Sequence, residues 1–386
     1  MKKVLIVAYY YPPAAGVGTF RVTKFVKYLL KFGWSPYVVT VEDSYHKSSD
    51  NSILADANKA KKIYKTKISS IPINDVGIKW MGILYKKAKK IIKEDDIDIV
   101  YYTGGPFFQW IVAPRLKKTT GVPYVIDYRD PWGFNPYEKN GRGIKKKIGD
   151  VVTKYFEPKV IADSSLAFFA NQFMQTEYKK YFPEHSKKFK VIENGFDPED
   201  YKKIKPAKFS KYTIMYTGKF LHYRNPENLF RAIANFSKKF PCQFVHVGSR
   251  EEPIINIAKK YLTDQIQFVG PKKYKEAIGY TKGADVLIII SEGSCLGFPQ
   301  KVFDYLACNK PIVAIGDKKS YFGRFLSEFE NVILVEDDAY KIEEAISRIR
   351  RNALGARSTI SNTILRDHTR ENLTNVLAEE LNKIVP

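Results

Sequence analysis

Short runs of consecutive apolar residues alternate with longer stretches whose apolar positions recur every three to four residues, along the whole chain. KVLIVAY (3–9), PYVVTV (36–41), IDIVYY (97–102), PYVIDY (123–128), LAFFAN (166–171) and KVIENG (190–195) read as a first set of strands. TIMYTG (213–218), CQFVHVG (242–248), IQFVG (266–270), ADVLIII (284–290), PIVAIG (311–316) and NVILV (331–335) read as a second set. Near-continuous β-branched runs of this kind predict parallel strands covered on both faces. Between the first two runs, Val22, Phe25, Val26, Leu29 and Leu30 fall at helical spacing, with Arg21, Lys24, Lys27 and Lys31 mostly on the other side, which makes a βαβ unit. The segment DPEDYKKIKPAKFSKY (197–212) is polar, carries two prolines and has no periodicity, so the break falls there. The pattern predicts an α/β chain of two doubly wound parallel-sheet domains, 1–198 and 199–366, with a C-terminal helix at 367–386 able to pack back on the first. Ligands of such sheets bind beyond the carboxyl ends of the strands, so two sheets facing each other would line one cleft.

The length, 386 residues, agrees with two domains rather than one core. Lys and Arg number 64 against 41 Asp and Glu, a net charge of +23 that favours anionic partners without choosing among them. Cys242, Cys295 and Cys308 are too few and too scattered for a disulfide framework or a zinc site. The opening MKKVLIVAYYYPP has too short an apolar run and no small-residue cleavage site for a signal peptide, and reads as a buried strand. No stretch reaches the roughly 18 apolar residues of a membrane span. The expectation is a cytoplasmic protein.

Chemistry gathers where strands end. After the first strand, YYYPPAAGVGTFR places Gly16 and Gly18 where backbone can approach a ligand and a helix N-terminus can meet an anion. A nicotinamide dinucleotide is one reading, since Glu42 closes the next strand, but Arg21 stands where the third glycine of that fingerprint belongs. After the fourth strand, DYRDPW brings Asp127, Arg129 and Asp130 together, either to orient a substrate and move a proton or to form a local ion pair. In the second set, YTGKFLHYRNPENL turns at Gly218 and offers Lys219 and Arg224 to one phosphate. Finally GFPQKVFDYLACNKPIVAI puts Gly297, Phe298 and Pro299 ahead of a helix carrying Lys301 and Asp304. Lys301 adds charge to the helix dipole, and Asp304 could accept hydrogen bonds from two adjacent sugar hydroxyls. Phosphate beside ribose means a nucleotide.

Taken in order, YYYPPAAGVGTFR, VIDYRDPW, VIENGFD, YTGKFLHYRNPE and GFPQKVFDYLACNKPIVAI resemble the large retaining glycosyltransferase family of the GT-B fold, the group 1 type. Bacterial polysaccharide enzymes with a DYRDPW-like segment look closest. The resemblance implies a cytoplasmic retaining hexosyltransferase that moves a sugar from a UDP- or GDP-sugar to a glycan or lipid-linked acceptor in surface-polysaccharide assembly. It implies no cofactor and no metal. On it, Lys219 and Arg224 would hold the donor diphosphate and supply charge as it leaves. Lys301 would join the phosphate contacts, Asp304 the ribose, and Gly297, Phe298 and Pro299 the donor sugar and phosphate loop. Gly270 and Pro271 would meet the base, and Gly16 and Gly18 would approach the phosphates. Asp127, Arg129 and Asp130 would face the acceptor, with Asp130, Arg129, Lys219 and Arg224 counted as catalytic. Two departures stand out: Leu296 and Asp304 replace a pair of glutamates, and Arg129-Asp130 replaces a His-Asp pair, where a permanently charged Arg cannot shuttle a proton.

KWMGILYKKAKKIIK (79–93) and GRGIKKKIGDVVTKYF (141–156) are basic and partly aromatic. They allow either docking on an anionic membrane surface, as a peripheral protein, or ordinary helices with their apolar faces on the core. Two rival functions remain in view. A sugar-nucleotide epimerase would need acid/base groups at the sugar ring, for which His222 and His246 are the nearest candidates beside Asp130. A nucleic-acid-binding protein is suggested by charge alone, without a recognisable module, so no nucleic acid is expected as a partner.

Overall fold

The computed structural model describes residues 1–133, 144–220, 225–291, 300–352 and 363–386. Two compact units emerge: Met1–Asn194 with Arg370–Pro386, and Gly195–Thr369. The chain therefore changes unit at 194/195 and 369/370, a few residues from the 198/199 and 366/367 drawn from the sequence.

The first unit holds a seven-stranded sheet: β1 (Lys2–Val7), β2 (Trp34–Val41), β3 (Lys62–Thr66), β4 (Ile99–Thr103), β5 (Tyr124–Tyr128), β6 (Leu166–Phe169) and β7 (Phe189–Val191). Every pairing is parallel, in the order β3-β2-β1-β4-β5-β6-β7. Side chains alternate between faces, as the two-residue period of a strand requires. Leu5 and Val7 join Val39, Trp80, Ile91 and Tyr128 on one face. Val4 and Ile6 join Val22, Phe25 and Val26 on the other, where Leu373, Leu377 and Leu381 of the helix Arg370–Ile384 also pack. The edge strand β3 escaped the sequence reading. Its KIYKT is short and carries two lysines, the polar dress that protects an edge from pairing with another chain.

The second unit holds six parallel strands: β8 (Tyr212–Thr217), β9 (Cys242–Val247), β10 (Ile266–Phe268), β11 (Val286–Ile290), β12 (Ile312–Ile315) and β13 (Val332–Val335). Their order is β10-β9-β8-β11-β12-β13. Both units thus carry the doubly wound 3-2-1-4-5-6 pattern, extended in the first by one further strand. Val286, Ile288 and Ile290 bury on one face of β11 and Leu287 and Ile289 on the other.

Among the described residues no helix is long and apolar enough to cross a membrane. The helix Val76–Glu94 turns Trp80, Leu84, Ala88, Ile91 and Ile92 into the core, so its amphipathic pattern is accounted for by packing. Val151 and Tyr155 of the helix Ile144–Asp163 are exposed.

Candidate active site: two strand-end clusters

In the first unit the cluster forms where β1, β4 and β5 end. Gly16 (φ +127°) breaks the chain into the helix Val17–Leu29, whose first turn has no acidic residue and no side-chain cap. Arg21, on that helix, is fully buried and forms a bidentate pair with Asp127, Nε to Oδ2 and Nη2 to Oδ1, each 2.8 Å. Its Nη1 donates to the Glu193 carbonyl at 3.0 Å. Both oxygens of Asp127 are spent on Arg21, and the carboxylate has no exposure. The expectation that Asp127 contacts an acceptor is therefore corrected: it locks the end of β5 to the first helix.

Arg129 is aimed differently. Its guanidinium lies against two glycines: a Cβ on Gly18 would overlap Nη1, and one on Gly105 (φ +65°) would stand 2.9 Å from Nη2. Glycine at both places is what admits a guanidinium this close to backbone. Arg129 Nε donates to Asp130 Oδ2 at 3.1 Å, with the arginine side chain 15% exposed and the aspartate 65%. Gly18 and Arg129 are thus brought together, a meeting the sequence reading did not make, and beside them Asp130 is the member open to solvent.

Behind this loop sits a group the sequence did not single out. Glu157 accepts hydrogen bonds from Tyr128 and Tyr178 hydroxyls, both 2.9 Å. Tyr178 in turn accepts from the Trp132 N–H at 3.0 Å. Burial pushes the Glu157 carboxyl up from 4.5 to about 7, against the pull of the two tyrosines and the Gly133 N–H. Trp132 stacks on Phe107, with centroids 5.9 Å apart and planes 8° from parallel.

In the second unit the cluster forms where β8 and β9 end. Gly218 turns with φ +94°, its N–H bonded to the Val247 carbonyl at 2.7 Å and its carbonyl to His246 Nε2 at 2.8 Å. A Cβ on Gly248 would overlap the Gly218 carbonyl, so the two backbones meet only because Gly248 has no side chain. Lys219 follows, half-exposed and 2.9 Å from Glu251 Oε1. Lys301, from the helix Gln300–Ala307, reaches the same turn: its Nζ lies 3.7 Å above the Tyr216 ring and would be 3.2 Å from a Cβ on Gly218. The cation–π contact fixes the lysine's direction, and Gly218 leaves room for it. Two lysines converge on one strand-end turn. Gly270 (φ +83°, buried) and Pro271 (exposed) follow β10, the edge strand beside β9.

Asp304 is held more tightly than the sequence implied. Its Oδ1 accepts from Tyr201 at 2.6 Å and Tyr274 at 3.1 Å, and lies 3.5 Å from Gln300 Nε2. Gln300 also donates to the Gly195 carbonyl at 2.8 Å. Burial and the Asp304 charge push both tyrosines well above their ordinary value, which keeps them as donors. A sugar hydroxyl would share this carboxylate with the tyrosines. His246 is fully buried, its Nε2 committed to Gly218, and burial lowers its pKa. The acid/base role weighed for it at a sugar ring is thereby withdrawn. Arg224, Gly297, Phe298 and Pro299, with His222 and Leu296, lie outside the described residues.

Missed by sequence reading were Arg21 as the partner of Asp127, Glu157 behind the loop, Tyr216 under Lys301, and the Tyr201–Tyr274 pair. Each joins residues far apart in the chain, and only the unusual Arg21 inside a glycine fingerprint gave a local hint.

Residues 16–200 match the family model described as Glycosyltransferase Family 4, and residues 211–352 match that described as Glycosyl transferases group 1. No curated protein sequence matches the chain. Among solved structures, sucrose-phosphate synthase from Thermosynechococcus elongatus superposes with a TM-score of 0.68 at 16% identity, over 100% of this chain and 98% of that one. HepE of Anabaena, in complex with UDP-glucose, gives 0.66 at 14% identity, over 99% and 100%. UDP-GlcNAc 2-epimerase from Neisseria meningitidis, bound to UDP-GlcNAc, gives 0.62 at 14% identity, over 99% and 100%. At such identities the likeness concerns the fold: both classes share the GT-B architecture of two Rossmann-like domains.

Proposed function

Since this chain belongs to the GT-B glycosyltransferases of the group 1 type, we propose that it transfers a sugar, with retention, from a nucleoside-diphosphate sugar to a glycan or lipid-linked acceptor. The observation that carries this reading is the turn at Gly218, where Lys219 and Lys301 converge on a strand end of the second unit. The Lys301 ammonium beside open glycine backbone, with Lys219 on the same turn, suits a diphosphate, and such charge stabilises it most as it departs with the donor's negative charge. Asp304, oriented by Tyr201 and Tyr274, would share a ribose hydroxyl. A uridine diphosphate donor is the first choice, since HepE is found with UDP and with UDP-glucose.

On the first unit, Asp130 is the exposed group that would face the acceptor, with Arg129 pairing its carboxylate. Arg129 keeps its charge throughout, so it steadies Asp130 rather than moving a proton. The departing phosphate would take the acceptor's proton, and neither cofactor nor metal has a part in the reading. Bacterial surface-polysaccharide assembly is the setting we favour, on the resemblance of the DYRDPW loop. The lysines of the helix Val76–Glu94 remain outside while its apolar face is buried, so contact with an anionic membrane would be electrostatic.

Calorimetric titration with UDP, GDP, ADP and NAD tests the donor site. Tight binding of one nucleoside diphosphate, weakened in Lys301→Ala and Asp304→Ala, is expected; NAD alone binding, or unchanged affinity in both variants, would remove the assignment. The epimerase neighbours give a second reading, separated by incubating a UDP-sugar without acceptor: conversion to its epimer would favour it.

A further inference from the structure

We propose that Glu157 is a positioning residue for the transfer, holding the loop 129–133 that carries Arg129 and Asp130. The inference rests on the reading of that loop as acceptor-side. The loop leaves β5 at Tyr128 and is gripped from behind at three points. The Tyr128 hydroxyl donates to Glu157 Oε1 at 2.9 Å, the Tyr178 hydroxyl donates to the same oxygen at 2.9 Å, and Tyr178 accepts from the Trp132 N–H at 3.0 Å. Gly133 lies so close to Glu157 Oε2 that a Cβ there would overlap it, and its N–H bonds the carboxylate. Residues 128, 132 and 133 are therefore tied, directly or through Tyr178, to one buried side chain on the helix Ile144–Asp163.

The grip depends on the charge of Glu157. As a carboxylate it accepts from all three donors. A proton on Oε2 would face the Gly133 N–H, and a proton on Oε1 would make one tyrosine turn away, so protonation loosens one attachment in either case. The titratable groups that act on Glu157 are Tyr128 of β5 and Tyr178 of the helix Gln172–Tyr181, and both stay protonated because burial raises them well above their ordinary value. Glu157 itself changes charge near neutrality, where its burial has moved it. The loop is thus held most firmly above that point. Glu157→Gln places an amide NH₂ where the ionised oxygen stood and imitates the loosened form at every pH.

Trp132 reports on the loop without any assay of transfer. Of the four tryptophans, Trp34, Trp80 and Trp110 are fully buried and Trp132 is half-buried, so acrylamide quenching of the full-length protein reads mainly Trp132, and Trp132→Phe checks that assignment. Quenching in the parent protein is expected to fall as pH rises through about 7, while Glu157→Gln and Tyr178→Phe stay at the low-pH level. In turnover of UDP-glucose, Glu157→Gln is expected to lower kcat by roughly ten- to a hundredfold, the scale of a misplaced catalytic group, with KM for UDP-glucose unchanged and the rise of kcat with pH abolished. Identical quenching titrations in parent and variant, or a normal kcat in Glu157→Gln across the pH range, would overturn the proposal. If the parent binds none of UDP, GDP and ADP and leaves UDP-glucose intact while the quenching titration persists, the transferase reading fails and the clasp on the loop stands.

Discussion

The two strand-end clusters fasten their charged groups to different degrees. In the first unit, charged groups are fastened from behind by fully buried polar networks, Arg21 to Asp127 and Glu157 to its two tyrosines. In the second the fastening is mixed: Tyr201 and Tyr274 hold Asp304, the Tyr216 ring lies under Lys301, whose Nζ is itself buried, and Lys219 stays exposed beside Glu251. On the proposed function, a group that holds an acceptor in place gains from rigidity. Groups that meet a diphosphate can let the ligand order them, because the ligand's own charge does the fastening. The first cluster should therefore answer to stability measurements and the second to binding.

The sharpest way to break this contrast is to unpair a buried charge. Asp127→Ala strands the Arg21 guanidinium in the core and is expected to cost about 3–5 kcal/mol in urea unfolding. Replacing both, as Arg21→Met with Asp127→Leu, should recover much of that loss. Next comes Glu157, whose folded-state value of about 7 exceeds the ordinary 4.5. Its contribution to stability is fully present below about 4.5 and is lost as pH rises through about 7, some 3 kcal/mol in all at about 1.4 kcal/mol per pH unit. Glu157→Gln should flatten that part of the stability profile, which chemical denaturation at a series of pH values will show. Gly248→Ala drives a methyl into the Gly218 backbone and is expected to cost about 1–3 kcal/mol, with UDP affinity falling alongside. Smallest of all, Glu251→Gln frees the exposed Lys219 and should move stability by no more than about 0.5 kcal/mol, while UDP binds slightly tighter. A large stability change from that last variant would erase the distinction between the clusters.

What could be read from the sequence follows the same line. The central strand runs announced themselves because burial on both faces demands unbroken apolar residues, and β3, polar and at an edge, lacked that signature. Strand-end glycines and basic residues were visible because their signal is local: Gly218 beside Lys219, Gly16 beside Gly18, Arg129 beside Asp130. The partner that fixes each one was not. Arg21 and Asp127 stand 106 positions apart, and Tyr201 and Asp304 stand 103 apart. No periodicity encodes such a meeting; it exists only after the sheets have formed. Asp127 was misread for that reason, since an aspartate after a strand looks the same whether it faces solvent or an arginine.

The helix Arg370–Ile384 closes the first unit although the chain has left that unit at Asn194. Lys2 donates to the Asn382 side chain at 3.0 Å and to the Val385 carbonyl at 2.6 Å, so the beginning of β1 waits for residues made after the whole of the second unit. During synthesis, the face formed by Val22, Val26 and their neighbours stays uncovered while the whole of Gly195–Thr369 emerges. The second unit can then be finished before the first, and a chain cut short within the helix Arg370–Ile384 would carry one complete domain beside an open apolar face.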